Sequence, residues 1–169
     1  MIAEFRNASV SDAEALAELG RQSFVETFGH LYTTEDLAEF LASHSTESWA
    51  RELADAAFAI RIGEVDGQAM AYAKLGPPRL PFEPRGKAVE LRQFYVLSGW
   101  HGSGAAAELM QWVLDAARRR GGDDLYLSVF VDNARARAFY AKYGFVEEGR
   151  YAFMVGTHAD EDIVMRLAL

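Results

Sequence analysis

Cysteine is absent from the 169 residues. Its absence excludes a disulfide scaffold, a cysteine-ligated zinc site and a thiol nucleophile. Proline is scarce, and all of it falls in one stretch, at Pro77, Pro78, Pro81 and Pro84. That stretch reads as a stiff loop, because proline cannot serve a central strand. Apolar runs are a few residues long, far short of the ~20 that a membrane helix needs. Positive charge is outnumbered, with 17 Lys and Arg against 25 Asp and Glu. The resulting net charge of −8 argues against nucleic acid, which selects basic faces. It serves solubility and leaves room for a cationic small-molecule substrate. The opening Met1-Ile2-Ala3-Glu4-Phe5-Arg6 has no basic segment followed by an apolar one. No signal peptide and no membrane partner are therefore expected, and a cytoplasmic protein is the default. His30, His44, His101 and His158 lack paired ligand spacing, and H-E-x-x-H is missing, so no metal is expected.

Half of the residues are apolar or aromatic, enough for a substantial core. A short strand is expected over Ile2 to Arg6. Ser11 with Glu14 reads as a capping box. The helix that follows places Leu16, Leu19, Gly20, Phe24 and Phe28 on one stripe, with Gly29 as its stop. Helices capped by Thr33 or Thr34 and running from Thr46 to Ala54 come next. Strands Ala57 to Val65 and Gln68 to Leu75 flank Asp66-Gly67, a pair favoured in two-residue hairpin turns. Beyond the proline loop lie a strand from Ala88 to Leu97 and a helix from Ser103 to Arg120. Its cationic last turn suits the helix dipole, and Gly121-Gly122 ends it. Leu125 to Val131 is apolar on both faces, as in a central strand covered on both sides. A helix from Asn133 to Tyr143 and strands near Phe145–Phe153 and Asp162–Leu167 complete a single mixed α/β domain over residues 1–169.

Gly99-Trp100-His101-Gly102-Ser103-Gly104-Ala105-Ala106 sits between a strand and a helix. Such a junction offers unpaired amides and the positive helix end to a phosphate, and small residues allow close approach. A tight turn with close packing is the plainer alternative. A Walker loop would need Gly-Lys-Ser/Thr, and there is no lysine. A dinucleotide fingerprint would need G-x-G-x-x-G, whereas these glycines run G-x-x-G-x-G.

His101-Gly102-Ser103-Gly104-Ala105-Ala106 resembles the pyrophosphate loop of the GCN5-related N-acetyltransferases, the GNAT superfamily, written Q/R-x-x-G-x-G/A. The departure is His101. Further on, Asn133-Ala134-Arg135-Ala136-Arg137-Ala138-Phe139-Tyr140-Ala141-Lys142-Tyr143-Gly144-Phe145 resembles the late segment of that superfamily, N-x-x-A-x-x-F-Y-x-K-x-G-F. The two motifs stand in the superfamily's order, separated by one helix and one strand.

The resemblance implies a GNAT fold: a mixed sheet with helices on both faces and a bulged, splayed strand at the cofactor. It implies acetyl-CoA as co-substrate and no metal. The cofactor contacts map to Phe94, Tyr95, Val96, His101, Gly102, Ser103, Gly104, Ala105, Ala106, Asn133, Phe139 and Tyr140, with altered contact at His101. A freed amide near Tyr95 or Val96 would polarise the thioester carbonyl. Tyr140, otherwise a core aromatic, would protonate the departing thiolate. Glu90 is the candidate base, with a solvated strand-end carboxylate as the alternative. With no cysteine to carry an acetyl group, the amine is expected to attack acetyl-CoA directly in a ternary complex.

Phe24-Val25-Glu26-Thr27-Phe28-Gly29-His30-Leu31 is similar to the bacterial polyamine acetyltransferase branch, as is the region from Gly149 to Gly156 with Asp160, Glu161 and Asp162. That similarity makes Glu26, His30, Tyr32, Glu35 and Asp36 candidate contacts for a polyamine, against the plainer view of a solvated acidic face. Two other functions fit the same motifs: an acetyltransferase for protein lysine or N-terminal amines, and an acetyl-CoA-binding sensor without chemistry. A homodimer is common in the superfamily.

Overall fold

The structure, a computed structural model, describes residues 2–169. Strand β1 (Glu4–Asn7) leads through a single 3₁₀ turn into α1 (Ala13–Phe28). The capping box stands two residues earlier than expected. It is Ser9 with Asp12, whose carboxylate accepts from the Ser9 amide at 2.7 Å. Asp12 is preferred because Arg6 also donates to both of its oxygens at 2.8 Å, tying the helix start to β1. Gly29 is not a left-handed stop: its φ is −55° and the chain runs on into a 3₁₀ turn, Gly29–Leu31. Thr33 caps α2 (Thr34–Ala42), accepting from the Asp36 amide, and Ser45 caps α3 (Thr46–Ala54) in the same way.

Strands β2 (Ala59–Val65) and β3 (Gln68–Gly76) form the expected hairpin. Asp66 and Gly67 both adopt positive φ, 52° and 77°, the pattern of a type I′ turn. After the proline loop come β4 (Ala88–Val96), α4 (Ala105–Arg119), β5 (Asp124–Phe130), α5 (Ala134–Lys142), β6 (Val146–Val155) and β7 (His158–Ala168). The last two strands are longer than their sequence outlines, because polar residues beyond the apolar runs stay paired across the β6–β7 hairpin, from Val155 with His158 to Val146 with Arg166.

The seven strands form one sheet in the order β1-β2-β3-β4-β5-β7-β6. All neighbours are antiparallel except β4 and β5. One core lies under α4 and α5, where Leu109, Met110, Val113 and Ala117 meet Leu125, Leu127, Ile163 and Met165. The other lies under α1 and α3, around Leu16, Trp49, Ile62 and Tyr72. Helix α2 packs on β6. The sheet is thus covered on both faces.

Candidate active site

The parallel pair is the weak seam of the sheet. β4 and β5 pair only from Ala88–Glu90 with Asp124–Tyr126 and separate beyond. A bulge helps to drive them apart: Leu75 faces Leu91 but Lys74 faces Gln93, so Arg92 is the extra residue on β4. A cavity of about 540 Å³ fills the opening and reaches both faces of the sheet. Strand alternation sorts its lining. Phe94 and Val96 pack with the α4–α5 core. Tyr95 packs with Tyr72 on the α1 face, at 5.6 Å between ring centroids.

The edge of β4 is open where the strands part. The Leu97 amide bonds to the Met70 carbonyl at 2.9 Å. In an antiparallel ladder the residues sharing that parity, Tyr95 and Gln93, also turn their backbone groups to β3. Phe94 and Val96 turn theirs into the gap. The open amide that the sequence placed near Tyr95 or Val96 therefore belongs to Phe94 and Val96, because parity in the ladder decides which groups are spent.

At the end of β4 the chain makes the small-residue turn. Gly102 and Gly104 have φ of +78° and +90°, and a Cβ at either would meet nothing within 4 Å. The glycines are thus required by backbone angle and border open space. The amides of Gly102, Gly104, Ala106 and Ala107 find no acceptor among the described residues, while Ala105 is bonded to the Ser103 hydroxyl at 3.3 Å. Four free donors at a helix start make an anion cradle. His101 extends back to the strand: its Nε2 lies 2.8 Å from the Val96 carbonyl, and its Nδ1 meets the Arg135 guanidinium. The ring thereby occupies one of the open groups of the β4 edge.

Asn133 caps α5, accepting from the Ala136 amide at 3.3 Å. The helix carries Phe139 and Tyr140 to the cavity, where they pack near Phe94 with centroids 5.7 and 6.3 Å away. Tyr140 is only 8% exposed. Its hydroxyl, which the packing of a plain core aromatic would leave stranded, has no protein partner among the described residues. Burial, with a smaller contribution from Tyr95, raises its pKa well above the phenol range, so it is held protonated.

On the α1 face the cavity is walled by Phe24, Phe28, Tyr32, Phe40, Phe130, Tyr151 and Phe153. Three buried carboxylates stand here: Glu90, Asp160 and Asp162. Glu90, the expected base, accepts from the Arg79 and Leu80 amides at 2.8 and 3.0 Å and lies 3.3 Å from Arg92 Nε. Oε1 is thereby committed to the proline loop, whereas Oε2 has only the ion pair, because the Arg92 Nε–H is donated to the Pro77 carbonyl at 2.9 Å. Tyr32 lines the cavity and donates to Asp160. The other four expected acceptor contacts lie outside the lining. Glu26 accepts from the Ser98 amide and hydroxyl beside the small-residue turn. Asp36 accepts from the Thr157 amide and hydroxyl, at 2.7 and 2.9 Å, fastening α2 to the β6–β7 turn. His30 and Glu35 are exposed.

An opened parallel seam beside an anion cradle is the arrangement that the resemblance of the two sequence motifs implies. The acetyltransferase (GNAT) family model matches residues 15–145. The chain belongs to the GNAT family. It is 36% identical over 157 residues to an uncharacterised N-acetyltransferase of Mycobacterium tuberculosis (strain H37Rv), covering 92% of this chain and 97% of the relative. An N-acetyltransferase of Lactobacillus delbrueckii subsp. lactis is 26% identical over 165 residues, covering 95% and 94%. Among solved structures, the fold matches the PaiA N-acetyltransferase of Thermoplasma acidophilum in complex with coenzyme A, with a TM-score of 0.80, 20% identity and both chains fully covered. It also matches YncA of Salmonella typhimurium with acetyl-CoA, with a TM-score of 0.70, 22% identity, and 100% and 95% covered.

Within this GNAT domain two carboxylates that line the cavity on the α1 face are not among the site residues expected from sequence. Asp160 and Asp162 alternate on β7, which places both carboxylates on one face. The signal was present as Asp-x-Asp, but with the strand expected to begin at Asp162 the pair straddled a boundary. No described helix is long and apolar enough to cross a membrane. Among the described residues no group of three or more His, Asp or Glu is placed to hold a metal ion.

Proposed function

We propose that the chain transfers an acetyl group from acetyl-CoA to a primary amine by direct attack in a ternary complex. The observation that carries the proposal is the continuity of one cavity through the split sheet, with the anion cradle and Tyr140 on one face and carboxylates on the other. The residues fit the co-substrate. The amides from Gly102 to Ala107 suit its pyrophosphate, and the open β4 edge at Phe94 and Val96 suits its amide-bearing arm. Bound acetyl-CoA supplies the acetyl group as a thioester, whose C–S bond breaks as the C–N bond forms. The Phe94 amide is the donor for the carbonyl oxygen as it gains charge. Tyr140 gives its proton to the leaving sulfur and regains one from water. The amine nitrogen loses two protons on the way from ammonium to amide, so one proton is released overall.

The sensor alternative does not account for a buried, protonated, unpartnered phenol beside the open edge. Two structural neighbours are named as ribosomal-protein-alanine N-acetyltransferases, from Brucella melitensis and Escherichia coli. Here the aromatic roof from α1 and α2 favours a small amine over a folded protein terminus. The polyamine similarity rests on the first helices and on the region from Gly149 to Asp162; of its five expected acceptor contacts only Tyr32 reaches the cavity, where Asp160 and Asp162 of the second region also stand.

The test is a coenzyme A release assay with small amines, spermidine, and peptides with free N-termini or lysines. Release with small amines and intersecting initial-rate lines is expected. Parallel lines would remove direct attack, and release with peptides alone would favour the protein acetyltransferase.

A further inference from the structure

The three carboxylates of the acceptor side are not equivalent. Glu90 accepts two backbone amides at Oε1 and has Arg92 as an ion-pair partner beside Oε2. Asp160 is engaged by the Tyr32 hydroxyl and by His158 Nε2 at 3.1 Å. Asp162 is as buried as either, 6% exposed, yet no cation and no backbone amide reaches its carboxylate among the described residues. Its polar neighbour is the Ser128 hydroxyl, which also bonds with the Tyr151 hydroxyl at 3.0 Å. A buried carboxylate with a neutral hydroxyl beside it and no basic group lacks a cation.

The groups that face Asp162 define what that cation is. Tyr95 comes from β4, Ser128 and Phe130 from β5, Tyr151 from β6, Tyr32 from the turn before α2, and Asp160 and His158 from β7 itself. Aromatic walls accept an ammonium and its hydrocarbon body. Of the three carboxylates only Asp162 has neither a basic side chain nor a backbone amide beside it, and Arg79 and Arg92 stand at the Glu90 end of the same compartment. A second positive charge would meet those guanidinium groups.

We infer that Asp162 holds the ammonium of the acceptor and takes its proton, and that the acceptor is a primary amine with a single charge on an apolar arm. The inference rests on the acetyl-transfer proposal and gives it a base and a substrate class. One N–H proton of the ammonium passes to a carboxylate oxygen of Asp162, and the electron pair left on nitrogen forms the new C–N bond. The second N–H proton leaves to water as the amide forms. Burial, then the charge of Asp160, lifts the Asp162 carboxyl to about 7, so near neutral pH it can accept a proton and pass it on. The Ser128 hydroxyl opposes this shift and does not cancel it.

The experiment compares the unmutated protein with Asp162→Asn and Asp162→Glu, each checked for folding by thermal melt. Calorimetry on the coenzyme A complex measures affinity for n-pentylamine, phenethylamine and spermidine. Coenzyme A release as a function of pH measures turnover. For Asp162→Asn, monoamine affinity should fall by about tenfold or more, kcat/KM by about 10²–10⁴, and the acidic limb near pH 7 should vanish. Coenzyme A affinity should hold, and Asp162→Glu should restore part of the limb. A protein that acetylates amines with the same rate and limb after Asp162→Asn overturns the role of Asp162 and leaves acetyl transfer standing. A protein that loses monoamine affinity on Asp162→Asn yet never releases coenzyme A keeps the ammonium site and removes acetyl transfer. Spermidine bound more tightly than the monoamines overturns the single-charge acceptor.

Discussion

The two faces of the opened sheet are built by different means. On the α4–α5 face the site consists mainly of backbone: free amides at the start of α4, open groups on the β4 edge, and one phenol carried by a capped helix. Its residues come from three short stretches, Phe94–Val96, His101–Ala107 and Asn133–Tyr140. On the α1 face the site consists of side chains gathered from β4, β5, β6, β7, α1, α2 and the turn before α2. A backbone cradle suits a ligand part that never changes, such as a pyrophosphate. Side chains brought from seven places can be exchanged one at a time, whereas the cradle is set by backbone angles.

Substitutions can break or sharpen that contrast. The largest effect is expected at Tyr140→Phe, which removes the proton donor and keeps the ring. Turnover should fall by about 10²–10⁴ with acetyl-CoA affinity retained. An unchanged kcat would return Tyr140 to a packing role.

Next comes Gly104→Val. A branched side chain at φ +90° pays left-handed strain of about 1–2 kcal/mol and projects into the space of the cradle. Coenzyme A affinity, read by calorimetry, should weaken by about tenfold or more. Undiminished binding would show that the backbone cradle is not where the pyrophosphate rests.

On the acceptor face, Asp162→Asn should stabilise the fold, measured as thermal midpoint against pH. The folded carboxyl titrates at about 7 against an ordinary 3.8. The folded state therefore holds its proton more tightly, and stability is lost as pH rises through that window. The variant escapes that loss, so its gain should be absent near pH 4, grow upward and be complete above pH 7. The gap corresponds to about 4 kcal/mol at most, and water in the cavity should reduce the gain to roughly 1–3 kcal/mol. A destabilised variant at pH 8 would mean that Asp162 has a protein partner after all.

Glu90→Gln should do the reverse. It weakens the bonds from Arg79, Leu80 and Arg92 and should cost about 1–2 kcal/mol in melting experiments. The acidic limb of the rate profile should survive. Loss of that limb in Glu90→Gln would restore Glu90 as the base and separate the two carboxylates in the opposite sense.

The same division governs what could be read in advance. Local patterns fixed the elements: the cap at Asn133, the hairpin at Asp66-Gly67, the small-residue turn before α4 and the stripe that includes Tyr140. Each depends on residues a few positions apart, where propensity and spacing act directly. The acceptor side followed other rules. Glu26 and Asp36 have the charge of substrate contacts, but their nearest donors in space are Ser98 and Thr157, 72 and 121 positions away. Glu90 has the position of a base, and the proline loop folds back to occupy one of its two oxygens.

By itself the sequence determined a mixed α/β GNAT chain, a backbone cradle and a phenol, because short-range spacing sets caps, turns and helical faces. The tertiary structure alone decided that β4 and β5 part after three paired residues, that ladder parity leaves the Phe94 and Val96 amides open, and that one buried carboxylate among three has no basic partner. Register and burial are properties of strands that meet from distant parts of the chain, and no local pattern encodes them.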